Sequence, residues 1–168
     1  MGGSSTGAGL SEIEAVYRRR LSELRRVAAA ITGSREAGCD AVQDAFALAV
    51  HRRDQFRGEG SLDAWLWRIV VHAARDTGRR LDSSAATFEE ELGTTVAVEQ
   101  AGPRESDEIH ALVGALPERQ RLALFLRYYA DLDYATIAQA LEISGGTVAA
   151  TLNQALENLR RLMTGVTS

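Results

Sequence analysis

A glycine-containing loop followed by spaced arginines gives this chain its clearest capacity for chemistry. Arg57 lies in a short loop with Gly58, Gly60 and Ser61. Guanidinium groups bind phosphates through paired hydrogen bonds, and glycines let a backbone approach an extruded nucleobase closely. Further arginines follow at 68, 75, 79 and 80, and the last three share one face of a helix. The candidate nucleic-acid residues are therefore Arg57, Gly58, Gly60, Ser61, Arg68, Arg75, Arg79 and Arg80.

Residues for catalysis or metal binding are not grouped in the sequence. His51, His72 and His110 are far apart, and Cys39 is the single cysteine. Cys39 and His51 are separated by twelve residues, about 18 Å along one helix, so they do not share a metal. The sequence lacks a Gly-rich phosphate loop, a metal-spaced cluster and a nucleophile elbow. We therefore predict a binding protein that is not an enzyme and has no cofactor or metal.

The C-terminal third predicts three helices. Pro117 suits a first helical position, Asp133 caps a short second helix, and Ser144 caps a longer third one. A short helix, a turn and a longer helix are typical of a helix-turn-helix, whose second helix enters the DNA major groove by its N-terminal end. The outward positions near the start of that helix are Thr147, Ala149, Ala150, Thr151, Asn153 and Gln154.

The N-terminal half predicts a three-helix bundle. Apolar residues from Ile13 to Ile31 recur at spacings of three and four, and Gly33 ends that helix. Ser34 and Ser61 cap the next two helices. The predicted fold class is therefore all-α, with two small helical domains.

Charge separates these domains from the segment between them. Residues 10–81 carry a net charge of +3, residues 82–108 of −7 and residues 109–168 of 0. The acidic segment has scattered apolar residues and several helix breakers, so we predict a flexible linker. Residues 1–9 predict a flexible tail and not a signal peptide. The single cysteine fits a reducing cytoplasm, and no apolar run predicts insertion into a membrane.

Two stretches resemble the extracytoplasmic-function sigma factors, bacterial initiation factors that recruit RNA polymerase to promoters. Residues 116–148, LPERQRLALFLRYYADLDYATIAQALEISGGTV, resemble region four of that family. Residues 34–80 resemble region two. The matching positions there are Asp40, Val42, Gln43, Asp44, Phe46, Phe56, Arg57, Gly58, Trp65, Leu66, Arg68, Ile69, Arg79 and Arg80.

The resemblance implies a role and partners. Residues 10–81 then dock on core RNA polymerase through Asp40, Gln43 and Asp44, and melt promoter DNA by capturing a flipped base. Residues 109–168 bind the upstream promoter element, and the acidic connector either runs through polymerase, which the flanking domains favour, or is a solvated spacer. Cytoplasmic location is expected, and family members often bind an anti-sigma factor.

Two residues of the third helix have open interpretations. His72 stands where the family usually has Asn, near the base-capturing loop, and is otherwise a partly exposed helix histidine. Trp65 is expected in the core. Trp67 faces elsewhere, where it either stacks on a base or lies at a protein interface.

The predicted recognition helix departs from the family by lacking its usual basic side chains. Asn and Gln suit adenine edges, and alanine or threonine methyls suit thymine. Phosphate attraction in this domain is then left to arginines, among them Arg127, Arg160 and Arg161, and to the helix N-terminus.

Three functions compete at this point. The first is a sigma factor that binds polymerase and recognises and melts promoters. The second is a degenerate relative that binds polymerase or an anti-sigma partner without specific promoter recognition. A two-domain helical enzyme is the third, and the lack of a catalytic constellation argues against it.

Overall fold

The computed structural model describes residues 7–92 and 111–165, which contain helices and no strand. Helices α1 (Leu10–Thr32), α2 (Arg35–His51) and α3 (Leu62–Leu92) form the first domain, with a 3₁₀ turn at Arg53–Gln55. The second domain contains α4 (Glu118–Leu124), a π-helical turn (Phe125–Tyr129), α5 (Tyr134–Leu141) and α6 (Gly145–Gly165). The predicted all-α fold with a three-helix bundle and a helix-turn-helix is confirmed.

Helix starts follow the predicted capping residues. Gly33 ends α1 in the left-handed conformation, with φ 72°. Pro117 lies one position earlier than predicted, as the residue before α4, where its carbonyl accepts the Arg121 N–H at 3.0 Å. The side-chain oxygens that accept N-terminal N–H groups are those of Ser34, Ser61, Asp133 and Ser144, at 3.3, 3.0, 2.7 and 3.1 Å.

Helices α1 and α2 approach each other most closely at Gly38. A Cβ atom at this position would lie 2.5 Å from the backbone nitrogen of Ala29. Only glycine therefore fits the crossing without moving a backbone. The close approach buries Ala28, Ala41 and Ala45 between the two helices.

Helix α3 extends past the predicted linker boundary. The linker was expected to start at residue 82, but α3 continues to Leu92. No glycine or proline interrupts the chain between Gly78 and Gly93, and Ser84 Oγ donates to the Arg80 carbonyl at 2.9 Å. The expected lack of structure is therefore wrong for residues 82–92. The rest of the predicted linker, like the first six residues of the tail, lies outside the described residues.

The two domains pack against each other. Helix α3 lies against α5, and α1 touches the π-helical turn. Buried apolar side chains of both domains form one continuous cluster. This packing brings the helix-turn-helix against the loop that precedes α3.

Candidate nucleic-acid interface

The loop before α3 turns at two glycines with positive φ. Gly58 and Gly60 have φ values of 73° and 85°, in the left-handed region that favours glycine. Ser61 then caps α3 by accepting the Ala64 N–H. The predicted base-capture residues Arg57, Gly58, Gly60 and Ser61 thus form one exposed turn at the start of α3.

A cavity of about 530 Å³ lies beside this loop. Phe56 and Trp65 supply its aromatic surface, with ring centroids 5.6 Å apart and planes inclined by 55°. Arg57 and Arg68 are the basic residues that line it. The second domain completes the wall with Ala138, Gln139, Glu142 and Ile143. An aromatic surface next to guanidinium groups suits an unpaired base with its phosphate.

The placement of the two tryptophans is the reverse of the prediction. Trp67 is fully buried, whereas Trp65 is partly exposed in the cavity. The buried side of α3 includes Ala64, Ala74 and Gly78, small residues that allow close helix contact and that a search for large apolar residues passes over. A stacking role for Trp67 is therefore wrong, because no base reaches its ring. Phe56 and Trp65 both belong to the matching sequence pattern, but the pattern predicts no contact with a base for either residue.

Helix α3 carries a row of basic side chains beyond the cavity, named the cationic row after its arginines. Arg68, His72 and Arg75 succeed one another at helical spacing, and each meets a carboxylate of the second domain. Glu142 lies 3.7 Å from Arg68 and 3.2 Å from His72. Arg75 donates two hydrogen bonds to Glu118, at 2.7 and 3.0 Å. These bonds lower the pKa of Glu118 and raise that of Arg75.

The last two arginines of the row pair within their own helix. Arg79 contacts Asp76, and Arg80 donates to the Asp76 carbonyl and to Thr77 Oγ1, each at 3.3 Å. Both arginine side chains are exposed. They are therefore accessible to a phosphate. Their hydrogen bonds lie within α3 and do not involve the second domain.

The start of α6 presents a small, uncharged surface. Ser144 caps the helix and contacts Thr147 Oγ1 at 2.8 Å, while Ala150, Asn153 and Gln154 are exposed. Thr147 and Ala149 are partly exposed. Thr151 is 7% exposed, so its predicted outward position is wrong. It lies between Val148 and Ala155 on the inward face, where a threonine fills the space of an apolar residue.

The arginines expected to attract phosphate near α6 differ in their contacts. Arg127 donates to the Leu132 carbonyl at 2.9 Å and lies over the Tyr134 ring at 5.8 Å. It thereby holds the turn before α5. Arg160 and Arg161 are exposed near the end of α6, and Arg161 pairs with Glu157 at 3.1 Å.

The predicted docking residues share an exposed face of α2. Asp40, Gln43 and Asp44 are all exposed. Gln43 also borders an apolar groove of about 390 Å³ between α1 and α2. The groove residues are Leu10, Ile13, Glu14, Tyr17, Gln43, Phe46 and Val50.

The described residues contain neither a cluster of metal-ligating side chains nor a helix that could cross a membrane. Residues 7–92 and 111–165 contain no group of three or more His, Cys, Asp or Glu side chains placed to hold a metal. Within the same ranges, no helix has the length and apolar character needed to cross a membrane.

Two family descriptions match the chain in the two domains. Residues 16–84 match sigma-70 region 2, and residues 106–159 match sigma-70 region 4. The RNA polymerase sigma-H factor of Pseudomonas aeruginosa is 30% identical over 138 residues, covering 74% of this chain and 72% of that protein. The ECF RNA polymerase sigma-E factor of Escherichia coli K12 is 33% identical over 132 residues, covering 70% of this chain and 69% of the relative.

Solved structures show the same fold. CnrH, in complex with the cytosolic domain of CnrY, matches with a TM-score of 0.72 at 21% identity, covering 94% of this chain and 91% of that chain. The sigma factor RpoE of Bartonella quintana, in complex with the anti-sigma factor NepR, matches with a TM-score of 0.68 at 20% identity. The match covers 92% of this chain and 98% of that chain. The protein therefore belongs to the extracytoplasmic-function group of the sigma-70 family, and it is a sigma factor that binds core RNA polymerase and directs promoter-specific transcription initiation.

Proposed function

We propose that the first domain opens promoter DNA by trapping an unpaired base against the aromatic surface of Phe56 and Trp65. The observation that carries this proposal is the cavity that these rings share with Arg57 and Arg68 beside the ordered glycine loop. Stacking of a base on an aromatic ring contributes about 1–3 kcal/mol. That energy offsets the few kcal/mol needed to unstack a base, so melting needs no ATP.

The cationic row of α3 holds the strand that carries the trapped base. Arg68, His72 and Arg75 run away from the cavity along one face, and Arg79 and Arg80 extend it. Arginine forks match phosphate oxygens in geometry as well as charge. The row therefore places the sugar-phosphate backbone next to the aromatic surface.

Docking on polymerase uses Asp40, Gln43 and Asp44 of α2. The support is that all three side chains are exposed on one face of α2 and that all three match the family pattern. Solvation of the helix alone would not require that match. Residues 10–81 thus act in docking and melting, and 109–168 in upstream recognition, with the acidic connector between them. The factor acts in the cytoplasm, without catalysis of its own, and an anti-sigma protein is a further partner class.

Upstream promoter recognition uses the exposed start of α6. Asn153 and Gln154 present amides suited to adenine edges, and Ala150 presents a methyl suited to thymine. Thr147 and Ala149 border this surface. Phosphate contacts come from Arg160 and Arg161 and from the helix N-terminus, while Arg127 supports the turn.

The test separates melting from recruitment. Trp65→Ala and Arg68→Ala are assayed in reconstituted holoenzyme, with Arg26→Ala, an exposed arginine of α1, as the charge-matched control for Arg68. Permanganate reactivity of unpaired thymines on a duplex promoter should fall for Trp65→Ala and Arg68→Ala and stay unchanged for the control.

A promoter with a pre-opened bubble supplies the second arm of the test. Transcription from it should be largely restored, since the unstacking cost of a few kcal/mol has been removed in advance. Equal loss on duplex and bubble templates would reassign these residues to folding or to polymerase docking.

A further inference from the structure

A carboxylate at the start of α3 is held by two arginines of α1. Asp63 lies in the first turn of α3, and its side chain is 16% exposed. Arg19 Nη2 donates to Asp63 Oδ1 at 3.1 Å, and Arg20 Nε lies 3.5 Å from the same oxygen. Two consecutive residues of α1 thus converge on one carboxylate of the helix that carries the proposed base-trapping surface.

Arg20 ties this contact to the interior of the first domain. Its side chain is mostly buried, and its Nε is buried without a hydrogen-bond partner among the described residues. Loss of Asp63 would leave this charge partly buried and uncompensated, which is costly. The carboxylate also suits the positive end of a helix. Asp63 is therefore favoured from both sides, and it holds the start of α3 against α1.

Asp63 lies on the opposite side of the first turn from Trp65. Two residues along an α-helix turn by about 200°, so a side chain that faces α1 at position 63 directs position 65 away from α1. Ala64 and Trp65 line the cavity. The Ser61 carbonyl accepts the Trp65 N–H at 3.1 Å, so the same turn also ends the glycine loop. The contact with α1 therefore determines where this side of the aromatic surface lies.

The two rings of the aromatic surface belong to different elements. Phe56 follows the 3₁₀ turn, where its N–H donates to the Arg53 carbonyl at 3.2 Å. The loop between the rings contains Gly58 and Gly60, and glycine is the residue with the widest backbone freedom. The loop alone therefore does not fix the distance of 5.6 Å between the ring centroids. An anchor at the first turn of α3 does so at the level of Trp65.

We propose that Asp63 is a positioning residue for promoter opening, held by Arg19 and Arg20 so that Phe56 and Trp65 keep the geometry that receives an unpaired base. This inference rests on the proposed function for the role of the two rings. Asp63 is not among the positions that match the family pattern, so the resemblance gives it no role. A carboxylate repels phosphate, so its contribution to opening runs through the surface that it positions.

Asp63→Asn separates positioning from electrostatic attraction. The substitution keeps the size of the side chain and removes a negative charge, which by attraction alone would favour DNA binding. The opposite is expected in reconstituted holoenzyme on a duplex promoter. The rate of opening, followed by permanganate reactivity of unpaired thymines, should fall roughly tenfold, the size of effect that follows from losing a hydrogen bond between charged groups. Unchanged or faster opening would overturn the proposal.

A double-mutant cycle tests whether Asp63 acts through Trp65. The variant Asp63→Asn/Trp65→Ala should open the promoter no more slowly than Trp65→Ala alone, since the ring that Asp63 positions is already absent. A further loss of roughly tenfold in the double variant would assign Asp63 to general folding and overturn the proposal. Normal opening by Trp65→Ala would refute the proposed function as well. An effect of Trp65→Ala without one of Asp63→Asn would refute this inference alone.

Matched variants on α1 control for charge and for folding. Arg19→Ala removes the hydrogen bond to Asp63 at an exposed side chain, so this variant is expected to fold and to open the promoter slowly. Arg26→Ala, at an exposed arginine of the same helix, should open it at the parental rate. Glu14→Gln, which removes the exposed partner of Arg18, should do the same. Equal rates for Arg19→Ala and Arg26→Ala would overturn the proposal even if Asp63→Asn failed to fold.

Discussion

The two surfaces that we propose to contact DNA differ in chemistry and in exposure. The surface on α3 is cationic and aromatic, and its partners in the free chain are Glu118, Gln139 and Glu142. The surface on α6 is uncharged, made of Ala150, Asn153 and Gln154, and it is exposed. The proposed contacts to phosphate and to a trapped base thus lie where the second domain packs on the first. The proposed contacts to base edges lie on the exposed surface of α6, whose uncharged side chains attract phosphate only weakly.

The two tryptophans of α3 give the largest expected contrast. Trp67→Ala should cost about 3–5 kcal/mol in the free energy of unfolding, because it empties a fully buried site. Trp65→Ala should cost far less and should instead reduce opening of duplex promoters. Urea denaturation and permanganate footprinting measure the two effects. A larger stability loss for Trp65→Ala would move the melting surface to the other side of α3.

The tryptophans also show what the sequence does and does not determine. Local chemistry predicted the helices and the caps at Ser34, Ser61, Asp133 and Ser144, since each depends on residues close in sequence. The buried side of α3 depends on which helices contact it, and it includes the small residues Ala64, Ala74 and Gly78. Large apolar residues therefore gave the wrong side.

Contacts between the domains were beyond prediction for a related reason. The pairs Arg75–Glu118 and His72–Glu142 join residues 43 and 70 positions apart. No spacing rule connects residues at such separations. The family resemblance predicts the loop and the docking residues, but it carries no information on how the second domain of this chain packs against them.

Charge reversal on α2 tests whether docking on polymerase uses a different surface from the cationic row of α3. Gln43→Arg combined with Asp44→Arg should abolish co-purification with core polymerase, because like charges placed against each other in an interface cost several kcal/mol. Both side chains are exposed, so helicity and melting temperature should stay close to the parent values. Binding at parental affinity would show that polymerase docks elsewhere.

Substitutions at the start of α6 test the exposed surface. Asn153→Ala and Gln154→Ala should each reduce discrimination among upstream promoter sequences by about 1–3 kcal/mol, measured with holoenzyme on promoter variants. Thr151→Val is the control, since Thr151 is buried and its shape is kept. The free chain should bind duplex DNA weakly, with little sequence preference. Tight, specific binding by the free chain, or an effect of Thr151→Val alone, would contradict this arrangement.

Acid should weaken the contact between the domains, and this is the smallest expected effect. Hydrogen bonds from Arg75 lower the pKa of Glu118, with burial opposing them and Arg121 and Arg79 adding to the lowering. A lowered pKa means that the ion pair stabilises the packing of the two domains above the ordinary glutamate pKa of about 4.3. This contribution is lost as pH falls through the folded value. For a partly exposed pair the loss is about 0.2–1 kcal/mol.

The acid response of Glu118 is separated from that of the rest of the molecule by one variant. Asp133 also has a lowered pKa, because the Thr136 backbone N–H donates to it, and it lies in α5's cap and not on the cationic row. Glu118→Gln keeps this capping contribution and removes the ion pair. Spin labels on Cys39, the single cysteine, and on Asn153→Cys, an exposed position of α6, measure the distance between the domains in the full-length chain. This distance should lengthen in acid for the parent and change less for Glu118→Gln. The same acid response in both would show that the Arg75–Glu118 pair has no influence on the contact between the domains.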